Sequence, residues 1–152
     1  MEKRVERAAE LYESGYNCSQ AVTAAFADMY GFSEEQALRM SASFGGGIGQ
    51  MRKTCGAACG MFILAGLETG TTIANDKKGK AENYMVVQDL ADEFIARNGA
   101  LSCGDLRSLP EEVSINASTE TGVKPCYKKR PCKEIVIESA RIWIDFLSKR
   151  RN

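Results

Sequence analysis

Apolar residues recur at three- and four-residue intervals along most of the chain, the period of helices that turn one face inward. Val5, Ala8, Ala9 and Tyr12 mark a first helix over residues 2–14, closed by Gly15. Asn17, a favoured N-cap, opens a second that runs to Tyr30 with Cys18, Val22, Ala25, Phe26 and Met29 on one stripe, and Gly31 ends it. Ser33, followed by Glu34, Glu35 and Gln36, caps a third helix, which the glycines from Gly45 to Gly49 stop. Thr54 caps a fourth, with Cys55, Cys59, Phe62, Ile63, Gly66 and Leu67 on a shared face and an end near Gly70. A fifth starts within "NDKKGKAEN", carries Tyr84, Val87, Leu90, Ala91, Phe94 and Ile95, and reaches a C-cap at Gly99.

The period then fails across "RSLPEEVSINASTETGVKPCYKKRP", which holds all three prolines. Long loops without their own structure are uncommon inside compact domains and tend to be functional or mobile. After Pro131 a last helix carries Cys132, Ile135, Val136, Ala140, Trp143, Phe146 and Leu147 on one stripe. No segment alternates as a strand does. The pattern therefore predicts an all-α, single-domain bundle of about six helices over residues 1–152, with one long irregular loop from about 107 to 131. A chain of 152 residues is long enough to bury a single core.

Charge narrows the function classes. Twenty basic and twenty acidic residues cancel, so no strong long-range field recruits a polyanion, and nucleic acid is not an expected partner. The charged start "MEKRVERAAELYESG" lacks the apolar core of a secretory signal, which points to the cytoplasm. The longest apolar stretch, about Ala57 to Leu67, is short of the ~20 residues a membrane span needs, so no membrane insertion is expected. Histidine is absent, which removes Ser-His-Asp and Cys-His catalysis, His-ligated zinc and histidine as general base. Six cysteines without an export signal read as thiols available for redox or metal chemistry.

The cysteines fall at special places. Asn17-Cys18, Thr54-Cys55 and Ser102-Cys103 each put a thiol directly after a residue suited to N-capping, and Pro131-Cys132 also opens a helix. Unpaired N–H groups and the positive end of the helix dipole favour a thiolate there. Taken singly, each cysteine reads as readily as a small core residue. Cys55 and Cys59 at i, i+4 place their Cβ atoms about 5–6 Å apart, beyond the ~3.5–4.5 Å a disulfide requires. The same spacing suits two ligands on one metal.

"FGGGIGQMRKTCGAACG" invites a phosphate-loop reading, but it matches neither GxGxxG nor the GK[ST] ending. It remains a glycine turn feeding a helix start, where Gly47, Gly49, Arg52, Lys53 and Gly56 form a candidate anion or cofactor contact. Gly56, Gly60 and Gly66 inside the fourth helix cost about 1 kcal/mol each relative to alanine. Either a second backbone packs closely there or a ligand needs the space. The basic run "KPCYKKRPCK", with Cys126 and Cys132, reads as a solvated face or as support for a thiolate.

"NCSQAV" at 17–22, "FGGGIG" at 44–49, "CGAACG" at 55–60, "GALSCGDL" at 99–106 and "CKEIV" at 132–136 together resemble the C_GCAxxG_C_C family of redox-active proteins. The resemblance implies four characteristic cysteines, Cys18, Cys55, Cys103 and Cys132, with Gly56, Ala57 and Gly60 completing the CGAxxG motif. Cys59 and Cys126 are additions to that pattern. The implied members are small and helical, and a similar domain in a multihaem cytochrome with an iron-sulfur centre keeps cluster binding open.

Three readings follow from this. In the first, Cys55 is the nucleophile of a thiol oxidoreductase, since it heads a helix beside two cations, and Cys18, Cys103 or Cys132 resolves it as a disulfide. An electron donor or small-molecule substrate is then the partner. In its metal version, Cys18, Cys55, Cys103 and Cys132, with Cys59 as an additional candidate, ligate an iron-sulfur cluster or zinc. The second reading is a non-catalytic helical module that binds a ligand or pairs with itself as a homodimer. The third is an anion-binding, transporter-associated accessory protein using Arg52 and Lys53.

Overall fold

The computed structural model describes residues 1–109 and 130–152. Among these residues the architecture is all-α, with seven helices: α1 (Glu2–Glu13), α2 (Cys18–Ala24), α3 (Glu34–Ser41), α4 (Gly56–Thr69), α5 (Lys77–Asn98), α6 (Cys103–Arg107) and α7 (Cys132–Arg151). Most of the expected loop, including Cys126, lies outside the described residues. Its first residue, Arg107, is still helical. No helix among the described residues is long and apolar enough to cross a membrane.

Local chemistry sets the helix starts. Asn17 accepts a hydrogen bond from the Gln20 N–H at 2.9 Å while the Gln20 side chain takes the Asn17 N–H, a reciprocal capping box. Ser33 and Gln36 repeat it at α3. Ser102 caps α6 by accepting from the Asp105 N–H at 3.0 Å. Two boundaries differ from the sequence reading. The second helix is interrupted after Ala24 and resumes as a 3₁₀ turn over Ala27–Tyr30, closed by Gly31 at φ 81°. At α4 the N-cap is Cys55 itself, one residue beyond Thr54.

The expected faces of α4 and α5 also need correction. α4 is buried on most sides from Gly56 to Ala65, through Gly56, Ala57, Ala58, Cys59, Gly60, Met61, Leu64 and Ala65, because α2, α5 and α7 all pack against it. Phe62, Ile63 and Leu67 are only half-buried, and Gly66 is exposed. A helix enclosed by three neighbours has no single inward stripe. On α5 only Leu90 and Phe94 of the expected stripe are buried, while Tyr84 is 60% exposed.

Trp143, Phe26 and Phe94 lie fully buried in the core. Arg97 fastens α5 to α7, reaching Glu138 at 2.9 Å and Asp145 at 2.8 Å while also pairing with Glu93 in its own helix. The tightest approach is between α4 and α2. A Cβ at Gly60 would sit 2.9 Å from Val22 Cβ and 3.1 Å from the Ser19 carbonyl, and one at Gly56 would sit 2.9 Å from the Phe44 carbonyl. Close backbone packing therefore explains those two glycines, whereas Gly66 has nothing within 4 Å of the same point.

The two sites should respond oppositely to one extra methyl. Gly60→Ala overpacks the α2–α4 contact and should cost about 1–3 kcal/mol in a denaturant melt. Gly66→Ala fills open space on a helix and should stabilise by about 0.5–1 kcal/mol. Equal shifts for both would refute the close-packing account.

Candidate functional site

Residues 45–53 adopt an unusual backbone. φ is positive at five consecutive residues, Gly46 (66°), Gly47 (73°), Ile48 (64°), Gly49 (56°) and Gln50 (63°), and again at Arg52 (60°). Left-handed backbone costs a non-glycine residue about 1–2 kcal/mol, and three such residues in one loop mark a conformation held by its surroundings. Those surroundings are specific. The Asn17 side chain donates to the Ala42 carbonyl at 2.9 Å, and a Cβ at Gly45 would collide with Asn17 at 2.5 Å. Gly47 is buried against α6, where a Cβ would fall 2.6 Å from Cys103 Cβ. No side chain fits there.

The loop in turn completes the start of α6. The Cys103 N–H donates to the Lys53 carbonyl at 2.6 Å and the Gly104 N–H to the Arg52 carbonyl at 3.2 Å, satisfying two donors that a helix start leaves unpaired. The Cys55 N–H donates to the Leu101 carbonyl at 2.8 Å, and Thr54 and Ser102 form an isolated antiparallel bridge. The peptide bearing Cys55 and the peptide bearing Cys103 are thereby zipped together.

These elements enclose a cavity of about 590 Å³, a volume typical of small-molecule sites. Cys18, Cys55, Cys103 and Cys132 all line it. Cys18 opens α2, Cys55 caps α4, Cys103 opens α6 and Cys132 opens α7. Of the five residues proposed from sequence as an anion contact, Gly47, Arg52 and Gly56 line the cavity, and Gly49 and Lys53 do not. Cys59 is buried outside it, its thiol directed to the Thr54 carbonyl at 3.8 Å. Burial pushes that thiol up to about 11.

The four lining thiols are not equivalent. All are free. Cys132 and Cys18 shift each other in opposite directions, Cys132 down and Cys18 up. The Cys132 thiol is lowered to about 6, first by the hydrogen bond from Cys18, then by the Tyr12 hydroxyl and by Arg107 and Arg52, against an opposing effect of burial. Cys18 is driven far upward by that same hydrogen bond and by burial. Tyr12 is pushed up to about 12, chiefly by burial, and remains a donor. Burial also pushes Cys55 up to about 12, although the N–H groups of Ala58 and Ala57 partly offset it.

Neither cation expected beside Cys55 bonds to its thiol among the described residues. The Arg52 guanidinium donates to Cys103 Sγ at 3.6 Å, and Lys53 is exposed. The metal reading meets a geometric obstacle: among the described residues no three cysteines or carboxylates are grouped closely enough to hold an ion. As placed, the described cysteines and carboxylates do not form the donor set of a zinc or iron-sulfur centre.

Tyr12, Arg107 and Arg130 line the cavity but were not among the sequence candidates. Two of them carried a readable signal. Arg107 follows Cys103 by four residues, one helical turn on the same face, and Arg130 precedes Cys132 by two. Tyr12 looked like an ordinary core residue of the first helix.

The family profile described as "Putative redox-active protein (C_GCAxxG_C_C)" matches residues 16–146, and the chain belongs to that family. A protein of Archaeoglobus fulgidus described as uncharacterized is 28% identical over 157 aligned positions, which cover 99% of this chain and 97% of the relative. No solved structure matches the chain.

The thiol asymmetry can be read directly. With a neutral alkylating reagent, Cys132 should react first in the folded protein, because only the thiolate is nucleophilic. A group whose acid constant lies near 6 is ionised above that pH and protonated below it. The rate should therefore be flat near neutrality and fall about tenfold per pH unit in more acidic solution. Cys55 should stay protected until denaturant is added. A rate at Cys132 that keeps climbing through pH 9, or faster labelling of Cys55, would overturn this ordering.

Proposed function

We propose that this member of the C_GCAxxG_C_C family of redox-active proteins performs thiol–disulfide exchange with Cys132 as nucleophile and Cys18 as resolving thiol. The observation that carries the reading is that these two thiols, each at the start of a helix, line one cavity with Tyr12, Arg52 and Arg107, where the Cys132 thiol is lowered. Cys132 stands at the start of a 20-residue helix, where the dipole favours negative charge. An attacking thiol works best when its acid constant lies near ambient pH, and Cys132 comes nearest to that among the shifted thiols.

The co-substrate is a disulfide, R–S–S–R′. The Cys132 thiolate attacks one sulfur, the Cys132–S–R bond forms, and R′S⁻ leaves with the electron pair of the broken S–S bond. Cys132 then carries no charge, which removes the main cause of Cys18's reluctance to ionise. Cys18 releases its proton and attacks Cys132 Sγ. The Cys18–Cys132 bond forms and RS⁻ departs, taking up that proton as RSH. Two electrons have passed from the dithiol to the substrate, and excess thiol drives the sequence backward. Tyr12 lines the same cavity and favours the charged form of Cys132.

Cys55 and Cys103 form the inner wall of the same site. Cys55, buried and held as a neutral thiol, supports the packing of α4 more than the exchange.

Incubating the reduced protein with bis(2-hydroxyethyl) disulfide should consume two thiols and yield a Cys18–Cys132 linkage by peptide mapping. Cys18→Ser should instead accumulate a mixed disulfide on Cys132, and Cys132→Ser should form neither. Cys55→Ser should retain exchange at reduced stability, by about 1–3 kcal/mol for a polar group placed in a buried site. Linkage of other cysteines, or a full complement of free thiols after the challenge, would sink the proposal.

A further inference from the structure

Among the described residues, the charged groups that line the cavity are of one sign: Arg52, Arg107 and Arg130 line it, and no described aspartate or glutamate does. Among the described residues, Arg52 and Arg107 have no carboxylate within salt-bridge distance, whereas Arg130 approaches Glu138 at 3.8 Å. Of the lining residues, Arg52 and Arg107 are exposed, while the apolar Leu106 and Ile135 are buried. Arg52 is held in a left-handed conformation at φ 60° by a loop whose carbonyls are tied to α6. Its backbone is thus fixed, and its guanidinium lies 3.6 Å from Cys103 Sγ.

Unpaired guanidinium groups beside a thiol have a plain chemical use. They attract an anion and can bind a carboxylate through paired N–H donors. From this lining we infer that the substrate is a small disulfide whose substituents carry carboxylates or another anionic group, with its apolar chain against Leu106 and Ile135. The inference rests on the exchange reading for the word disulfide, and on the arginines alone for the word anionic. The reaction itself is the two-step exchange written above, so no additional oxidant or reductant is required.

The test separates those two parts. Iodoacetate and iodoacetamide both form an S–C bond at the thiolate and release iodide, so their rate ratio cancels the thiolate fraction and reads only the attraction for a carboxylate. At Cys132 in the reduced protein, the iodoacetate-to-iodoacetamide ratio should exceed that of N-acetylcysteine by about tenfold at low salt and shrink as salt is added. Arg107→Gln and Arg52→Gln should each lower it. The wild-type salt dependence keeps the question open to refutation even where a variant fails to fold. A wild-type ratio equal to that of N-acetylcysteine would overturn the inference.

The second arm compares disulfides of similar size: dithiodipropionate, an anion; bis(2-hydroxyethyl) disulfide, neutral; and cystamine, a cation. The expected rate order is anion, then neutral, then cation, and a cystamine rate equal to or above that of dithiodipropionate would overturn the inference. Failure of all three to form the Cys18–Cys132 bond, with the alkylation preference intact, would remove the exchange reading and leave the anion site standing.

Discussion

The site depends on how closely α4 approaches α2. With no side chain at Gly56 or Gly60, the backbone of α4 rests on Ser19 and Val22 and on the Phe44 carbonyl. That contact brings Cys55, at the head of α4, into the cavity that Cys18, at the head of α2, also lines. It also fixes where the chain between α3 and α4 must run, since Gly45 is pressed against Asn17 and Gly56 against Phe44. The left-handed loop follows from this confinement, and its carbonyls then hold the start of α6. Two glycine contacts thus propagate through one strained loop to three of the four thiols.

Burial and pairing pull the thiols in opposite directions, and their balance differs at each. Burial raises all of Cys18, Cys55, Cys59 and Cys132. At Cys55 the two N–H groups of α4 oppose it and lose. At Cys132, the Cys18 and Tyr12 hydrogen bonds and two arginines together prevail. A helix start alone does not make a thiolate. The deciding contribution comes from donors on α1, α2 and α6, which are distant in sequence from Cys132.

That distance explains what could be read from the chain. Capping is local, and Asn17, Ser33 and Ser102 announced their helices correctly because cap and partner lie three residues apart. The family motifs, likewise local strings, identified four cysteines that line one cavity. The face of α4 was misread because a periodic stripe presumes one buried side, and this helix is enclosed by three neighbours. Which thiol a nearby cation faces is equally hidden: Arg52 is three residues from Cys55 but turns toward Cys103. Positive φ at Ile48, Gln50 and Arg52 has no signature in residue type, since those residues ordinarily avoid it.

Neutral net charge concealed the character of the site. The chain has equal numbers of acidic and basic residues, and that balance argues soundly against a polyanionic partner, whose attraction is summed over a large surface. A small ligand samples a different quantity. At physiological salt the screening length is about 8 Å, so an anion in the cavity responds to the groups lining it and little to the remainder. Many acidic residues are committed elsewhere: Asp28 to Arg4, Glu34 to Arg7, Glu93 and Asp145 to Arg97, and Glu68 to Arg150 and Arg151. Among the described residues, carboxylates paired elsewhere leave Arg52 and Arg107 without an acidic partner where the thiols are. The local excess is therefore a matter of which partners the fold assigns to each carboxylate, which no count of charges can reveal.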